Sequence, residues 1–338
     1  MEGQNVTNCD CIRALWRNVA RLAPAMGLLL CLSCGNQTAT QTVKIGIISI
    51  IEHPFLEQAR QGFIDTMAEL GFKEGEKVKY DYRNAYGKIE NASTIAAAFV
   101  GRPVDLIFGI ATPTTQAVKE KTSTIPIVFA AVTDPLAAGL VDSLEKPGHN
   151  VTGISDMIPV RYQLDVIRQV LPAASKLGIP YNAGEANSVS LVGKMNEVAP
   201  EIGFTIVEAN ASTTADVAQA VSSLVGKVDA IYMPTDNTMA AAVNVISDIC
   251  MKNKIPFFSS ENETIKKDGA LAALSVDHYK LGAEAAKMAV QILKDGRNPG
   301  DIPVTHLNRY DLELNMRVAA ALGIKIPDEV KAKASLIQ

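Results

Sequence analysis

This 338-residue chain is poor in cysteine and histidine, with five and four respectively. Of its five cysteines, Cys9, Cys11, Cys31 and Cys34 lie in the first 34 residues, and Cys250 alone lies in the globular part, so an internal disulfide framework there is excluded. Cys250 follows Ile246 and Ile249 at helical spacing, the setting of a buried structural thiol rather than a reactive one. Cys9 and Cys11 have no second pair and no nearby histidine, which argues against a zinc site. The histidines, His53, His149, His278 and His306, are scattered and never spaced i, i+4, and His53 with Glu57 makes at most half a metal site. Aromatic residues are 5% of the chain, and a formal charge of −4 gives no electrostatic reason to expect nucleic acid, which would want a basic face.

Nucleotide and hydrolase motifs are missing as well. No G-x-G-x-x-G follows the apolar run Val43 to Ile51, where a dinucleotide site would need it. Gly193-Lys194 lacks both the upstream glycine and the following Ser or Thr of a phosphate loop. Gly153-Ile154-Ser155-Asp156-Met157 starts like a nucleophile elbow but ends on methionine. With no nucleophile–base set, the chain is not expected to be an enzyme, and no cofactor is implied.

What the chain does have is an internal repeat. Lys44-Ile45-Gly46-Ile47 returns as Lys176-Leu177-Gly178-Ile179, and Leu70-Gly71-Phe72 returns as Ile202-Gly203-Phe204. Val104-Asp105-Leu106-Ile107-Phe108 returns as Val228-Asp229-Ala230-Ile231-Tyr232, and Ile125-Pro126 as Ile255-Pro256. A repeat of about 130 residues is a whole domain rather than a solenoid turn. Two tandem domains suggest a cleft, and a cleft suggests a ligand.

Each unit alternates strands and helices, which predicts α/β lobes with parallel sheets. In the first unit the strands are expected at Val43 to Ile51, Val78 to Tyr82, Val104 to Ile110 and Ile127 to Val132. Helices are expected from Pro54 to Gly71, Ile89 to Val100 and Thr114 to Lys121. Val151 to Ser155 reads as a further strand in a short ordered crossover, Gly148 to Val160. The second unit predicts strands at Leu177 to Tyr181, Thr205 to Glu208, Asp229 to Met233 and Pro256 to Ser259, with helices starting near Ser188, Thr214, Asn237 and Glu263. Pro180 is a misfit that predicts a bend or an edge. A helix over Tyr279 to Lys294 and a last helix over Leu314 to Leu322 complete the pattern.

The N-terminus reads as an export signal. Arg13, Arg17 and Arg21 precede Leu22 to Leu32, an apolar run too short to span a bilayer. Leu32-Ser33-Cys34 resembles a lipobox, in which Cys34 is acylated and becomes the mature N-terminus, although Cys31 stands where an aliphatic residue is usual. Residues 1–34 are therefore expected to be a signal peptide and 35–42 a polar tether. The polar stretch Met1 to Asp10 is long for such a signal, so the start codon is left open.

Polar clusters follow the predicted strands: Glu52-His53-Pro54, Thr112-Pro113-Thr114-Thr115, Thr133-Asp134-Pro135, Asn182 through Glu185 to Ser188, Thr235-Asp236-Asn237-Thr238, and Ser259-Ser260-Glu261-Asn262. Open parallel sheets bind ligands beyond the carboxyl ends of their strands. Taken singly, each residue is as readily a helix cap as a ligand contact. Six clusters on two repeated units favour a cleft site.

These clusters, with Ile110-Ala111-Thr112-Pro113, Val128 through Pro135, Asn150-Val151-Thr152-Gly153, Gly184-Glu185-Ala186-Asn187-Ser188 and Pro234-Thr235-Asp236-Asn237-Thr238, resemble the substrate-binding lipoproteins of ABC transporters, specifically the tryptophan/tyrosine-binding type. The resemblance covers about Val43 to Pro327; Pro180 and His149 depart from it. It implies a type I periplasmic-binding protein fold of two Rossmann-like lobes, joined by three crossovers and closing on a ligand. The expected division is 43–157 plus 278–302 for one lobe and 158–277 plus 303–338 for the other. The implied ligand is a small amino acid, aromatic (Trp, Tyr or Phe) by the resemblance, with a branched-chain amino acid as the alternative. The implied partners are a permease, its ATPase and the membrane through the lipid anchor, with the protein itself a monomer outside the cytoplasm. A zwitterion needs acceptors for its ammonium, for which Asp236, Glu261 and Asp277 are candidates. It needs donors for its carboxylate, for which Thr112, Thr133 and backbone N–H groups near Ser188 are candidates. His53, Phe55 or Tyr279 could flank the side chain, and Glu52, Asp134, Asn187 and Asn237 complete the candidate set. A sensory binding protein of the same fold is the runner-up, and an enzyme on the same scaffold a third reading.

Overall fold

The computed structural model describes residues 42–102, 104–266 and 269–338. The signal-peptide and lipidation expectations, Cys34 included, lie outside these residues.

The first unit runs β1 (Val43–Ser49), α1 (Pro54–Glu69), β2 (Val78–Asn84), α2 (Ile89–Gly101), β3 (Leu106–Ile110), α3 (Thr112–Lys121), β4 (Ile127–Val132) and β5 (Val151–Ser155). The second runs α4 (Val160–Val170), β6 (Lys176–Tyr181), α5 (Ala186–Ile202), β7 (Thr205–Asn210), α6 (Val217–Leu224), β8 (Ala230–Met233), α7 (Asn237–Ala241), α8 (Val243–Lys252), β9 (Phe257–Ser259), α9 (Glu263–Lys266) and β10 (Ala272–Ser275). The chain then returns through α10 (His278–Asp295), β11 (Thr305–His306), β12 (Asp311–Asn315), α11 (Met316–Leu322), α12 (Asp328–Lys331) and β13 (Ser335–Ile337).

Among the described residues these strands form two sheets, ordered β11-β5-β4-β3-β1-β2 and β13-β12-β10-β9-β8-β6-β7. The repeat is visible in the order: β2-β1-β3-β4-β5 corresponds to β7-β6-β8-β9-β10. Pairing is parallel throughout except for β10 with β12. Strands covered on both faces read as continuous apolar runs, and β3, β4 and β5 are buried at every position. Phe63 on α1 stacks on Phe108 of β3 at 4.0 Å between ring centroids, fixing helix to sheet.

Helix α10, which follows a strand of the second sheet, packs on α1, which flanks the first. Glycines permit this approach: a Cβ on Gly282 would lie 1.8 Å from the Ala59 carbonyl oxygen, and one on Gly62 2.0 Å from that of Tyr279. No larger residue fits either place without separating the helices.

The sequence expectations differ from the structure in a few places, each with a physical cause. The helix expected from Leu314 begins at Met316, because Leu312 and Leu314 alternate inward on β12 and Asn315 caps the helix, accepting from the Arg317 and Val318 N–H groups. Pro180 lies neither at an edge nor at a bend. Strand β6 is central, but its pairing with β8 covers only Leu177 and Gly178, so no ladder bond is lost at Pro180. Helix α3 starts at Thr112 rather than Thr114, and α4 and β13 have no counterpart in the sequence expectation.

Candidate functional site

The cleft-facing ends of both sheets are the carboxyl ends of their parallel strands, and the polar clusters follow them directly. In the first sheet two alanines hold unusual backbone. Ala111 sits at φ 80°, ψ 158° between β3 and α3, and Ala131 at φ 56°. Ala131 lies in a bulge of β4, where the pairing with β5 shifts between Phe129 and Val132. Strain of this kind is retained where surrounding structure enforces it and gathers at functional sites. Here it falls just before Thr112 and Thr133, the next polar residues along each strand.

The hydroxyls of Thr112 and Thr133 are buried without a hydrogen-bond partner. Beside Thr133, the first residue after β5 is Asp156, also buried, and neither of its carboxylate oxygens meets a well-aligned partner. Burial pushes Asp156 up to about 6, and the nearby Thr133 hydroxyl offsets this only in part.

The second sheet's clusters are wired together. Glu185 Oε2 accepts from Asn187 Nδ2 (3.1 Å), Asn237 N (3.1 Å) and Asn237 Nδ2 (2.6 Å), while its Oε1 accepts from Thr238 N (3.1 Å) and Oγ1 (2.9 Å). Asp236 Oδ2 accepts from Asn182 N and Ser188 Oγ (both 2.7 Å), and its Oδ1 caps α7 through Met239 N (2.8 Å). Burial, and then the Glu185 charge, hold Asp236 well above the ordinary carboxylate range. Asn187 also donates to the Thr235 carbonyl (2.9 Å), but its own Oδ1, with Ser260 Oγ and Ser275 Oγ, is buried and unpaired.

Two contacts join clusters of the two sheets directly. Asp134 accepts from Ser190 Oγ (2.5 Å) and pairs with Lys194, both on α5, while also accepting from Ala137 N (3.0 Å). Burial would raise Asp134, but Lys194 and Ser190 hold it below its usual range. On the other side, His53 Nε2 stands 3.5 Å from Glu261 Oε2. Glu261 is pushed up to about 8 by burial, with the Asp236 and Glu263 charges adding to it. Phe55 is buried between His53 and His278, with ring centroids 4.5 and 4.7 Å away. Burial, then the His53 charge, lowers His278 to about 4, so it is neutral at pH 7.

Thus the structure gathers Thr112, Thr133, Asn187, Ser188, Asp236, Asn237 and Glu261 in buried positions at the strand ends, with His53 half-buried beside them. Glu52 is exposed and lines, with His53 and Glu261, an open cavity of about 460 Å³ at the cleft margin. Asp277 is spent outside the group: it caps α10 through Lys280 N (3.0 Å) and pairs with Lys280 Nζ (2.7 Å). Tyr279 is also outside, its hydroxyl donating to Asp65 Oδ2 (3.1 Å) on the outer face of α1. Sequence reasoning missed Asp156, Ser275 and His278 as members of the group, and the bonding role of Glu185. Asp156 obeys the same rule as the other clusters, a polar residue just past a strand.

A cavity of about 720 Å³ opens between Tyr86 to Glu90 of the first unit and Asn182, Ser212 to Thr214 and Thr238 of the second. Pro113, Glu185 and Asn237 of the polar clusters also line it.

Comparison with known proteins gives this arrangement its family. A tyrosine-binding protein of Clostridioides difficile (strain R20291) is 41% identical over 281 residues, covering 83% of this chain and 81% of its own length. The solved structure of an ABC domain in complex with L-Trp, from Streptococcus pneumonia, is 34% identical with a TM-score of 0.84, covering 88% of this chain and 100% of that one. The ligand-free, open structure of a substrate-binding protein with adhesive properties from Clostridium difficile is 40% identical, yet its TM-score is 0.67 over 88% of this chain and 99% of that one. The family described as ABC transporter substrate binding protein matches residues 44–337, and this chain belongs to it.

Proposed function

We propose that the protein captures an aromatic amino acid, tyrosine or tryptophan, between its lobes and passes it unchanged to an ABC permease and ATPase. The observation that carries this reading is the set of buried polar atoms without partners at the cleft edge, Thr112 and Thr133 on one side and Asn187, Ser260 and Ser275 on the other. Orphaned groups of this kind are rare in a finished fold and fit a site whose last partner is a ligand. The relatives' amino-acid ligands support the class. The hydroxyls and the N-terminus of α5 suit a carboxylate without a buried cation. Phe55, packed at a tilt between His53 and His278, supplies the apolar and imidazole wall that an aromatic side chain would meet.

In this reading the lobes divide after residue 157 and before 278, with the last crossing after His306, where β11 leaves the first sheet. Moving such lobes from mostly open to mostly closed takes roughly 5 kcal/mol of differential binding. Charge-assisted hydrogen bonds to an ammonium and a carboxylate are of that order together. Among the described residues no helix is long and apolar enough to cross a membrane. Attachment through acylated Cys34 is proposed on the lipobox resemblance alone.

Mass spectrometry of the ligand that co-purifies tests the proposal, with tyrosine or tryptophan expected. In a thermal-shift panel, the cognate amino acid at 100 times its Kd should add about 2.7 kcal/mol of stability. A panel in which no amino acid raises the melting temperature overturns the reading, and turnover of the bound ligand would favour an enzyme instead.

A further inference from the structure

The amino-acid reading leaves open which carboxylate receives the ligand's ammonium. We infer that it is Asp156, beside the Thr133 hydroxyl, and that Asp236 is a positioning residue that holds the opposite wall.

The other acids of the cleft edge are engaged. Asp236 accepts from two backbone N–H groups and the Ser188 hydroxyl. Glu185 accepts from Asn187, Asn237 and Thr238, and Asp134 is paired with Lys194. Asp277, which follows β10 much as Asp156 follows β5, is consumed as the cap of α10 and by Lys280. Glu261 faces His53.

Asp156 differs from all of these. It is 5% exposed, and its carboxylate has the Thr133 hydroxyl and its own backbone N–H nearby but no well-aligned hydrogen bond. It caps no helix, since α4 starts four residues later behind Pro159. A charge buried alone costs several kcal/mol unless a partner arrives or the group stays protonated. Among the described residues no lysine or arginine is buried, so that partner comes from outside the chain. Asp156 lies past the carboxyl end of β5, adjacent to the end of β4 through the pairing of Val132 with Ser155, where a parallel sheet presents its ligand. One carboxylate with a neighbouring hydroxyl suits a primary ammonium, which carries three donors. Among the described residues, no group of three side chains able to hold a metal includes it.

Titration calorimetry separates this inference from the reading it rests on. Wild-type protein and Asp156→Asn are titrated with L-tyrosine, L-tryptophan and their deaminated analogues, 3-(4-hydroxyphenyl)propionate and indole-3-propionate. Asp156→Asn should weaken the amino acid at least 100-fold and the deaminated analogue less than threefold, with an unchanged or higher melting temperature. Thr133→Val should give a smaller loss, about tenfold, with the same selectivity for the amine. Asp236→Asn should lower the melting temperature and weaken both ligand types alike. Asp156→Asn binding the amino acid within threefold of wild type, or losing both ligand types equally, overturns the assignment while leaving the amino-acid reading intact. A wild-type protein that binds neither amino acid overturns both.

Discussion

The two lobes repeat each other closely at one edge and part company at the other. Away from the cleft, Asp105 accepts from Lys44 N at 2.7 Å, and Asp229 accepts from Ser175 N and Lys176 N at 2.7 and 2.8 Å. These are equivalent aspartates closing equivalent strand starts. At the cleft edge, Glu185 and Asp236 of the second lobe have every oxygen hydrogen-bonded. Thr112, Thr133 and Asp156 of the first keep buried atoms without a well-aligned partner. The difference teaches a division of labour among the acids: Glu185 and Asp236 of one jaw are held by its own donors, whereas Asp156 of the other is left for a ligand to complete. Unpaired hydroxyl or amide oxygens remain on both jaws. A satisfied network rigidifies, while a partly satisfied one carries its cost until a partner arrives.

That contrast can be broken at several points. Glu185→Ala has the largest expected effect, because it strips acceptors from Asn237 and Thr238 in a buried setting. A loss of about 3 kcal/mol or more in urea unfolding is expected, against a loss under 1 if the network is ornamental. Next comes pH. Asp156 sits near 6 in the fold, above its ordinary value, so the folded state holds the extra proton and ligand-free stability falls as pH rises from about 4 to 6. The fall is on the order of 3 kcal/mol, and Asp156→Asn should flatten it, as thermal melts across this range would show. Glu261, near 8, extends the decline in the same direction toward higher pH.

Smaller effects sharpen the comparison. Thr112→Val should weaken ligand about tenfold, or 1.4 kcal/mol, yet leave the unliganded melting temperature level or raised. Ser188→Ala, its counterpart in the wired jaw, should lower the melting temperature, because Asp236 loses an acceptor bond. Smallest in energy is Lys194→Ala. The lysine is half-exposed, so its pair with Asp134 contributes under about 1 kcal/mol, but it should raise the open fraction measured by small-angle scattering without ligand.

Much of this architecture was legible in the sequence. The repeat placed both sheets, and β4 and β5 fall on their expected bounds because runs such as Ile127 to Val132 are apolar on both faces. Sites were less legible, since a residue type does not say whether its oxygens are already taken. Asp236 reads as an anion waiting for a ligand, but Asn182, Ser188 and Met239 occupy it, two of them brought from another strand's loop. Asp156 was obscured by its neighbours, which read as a failed nucleophile elbow. The strain at Ala111 and Ala131 is invisible in sequence, because alanine does not advertise a positive φ as glycine does. Leu314 shows the same limit for local structure: a strand of alternating leucines runs straight into a helix, and only the antiparallel partner β10 decides where one ends.

The crossings between the lobes leave from β5, β10 and β11, all toward one side of the sheet order, while β2 and β7 stand at the far side. A jaw pivoting there sweeps little distance at Asp156 and much at Tyr86 and Thr213. The fulcrum would thus grip one end of the cargo whether the mouth is wide or shut, and the far rim would report how far the stroke has gone.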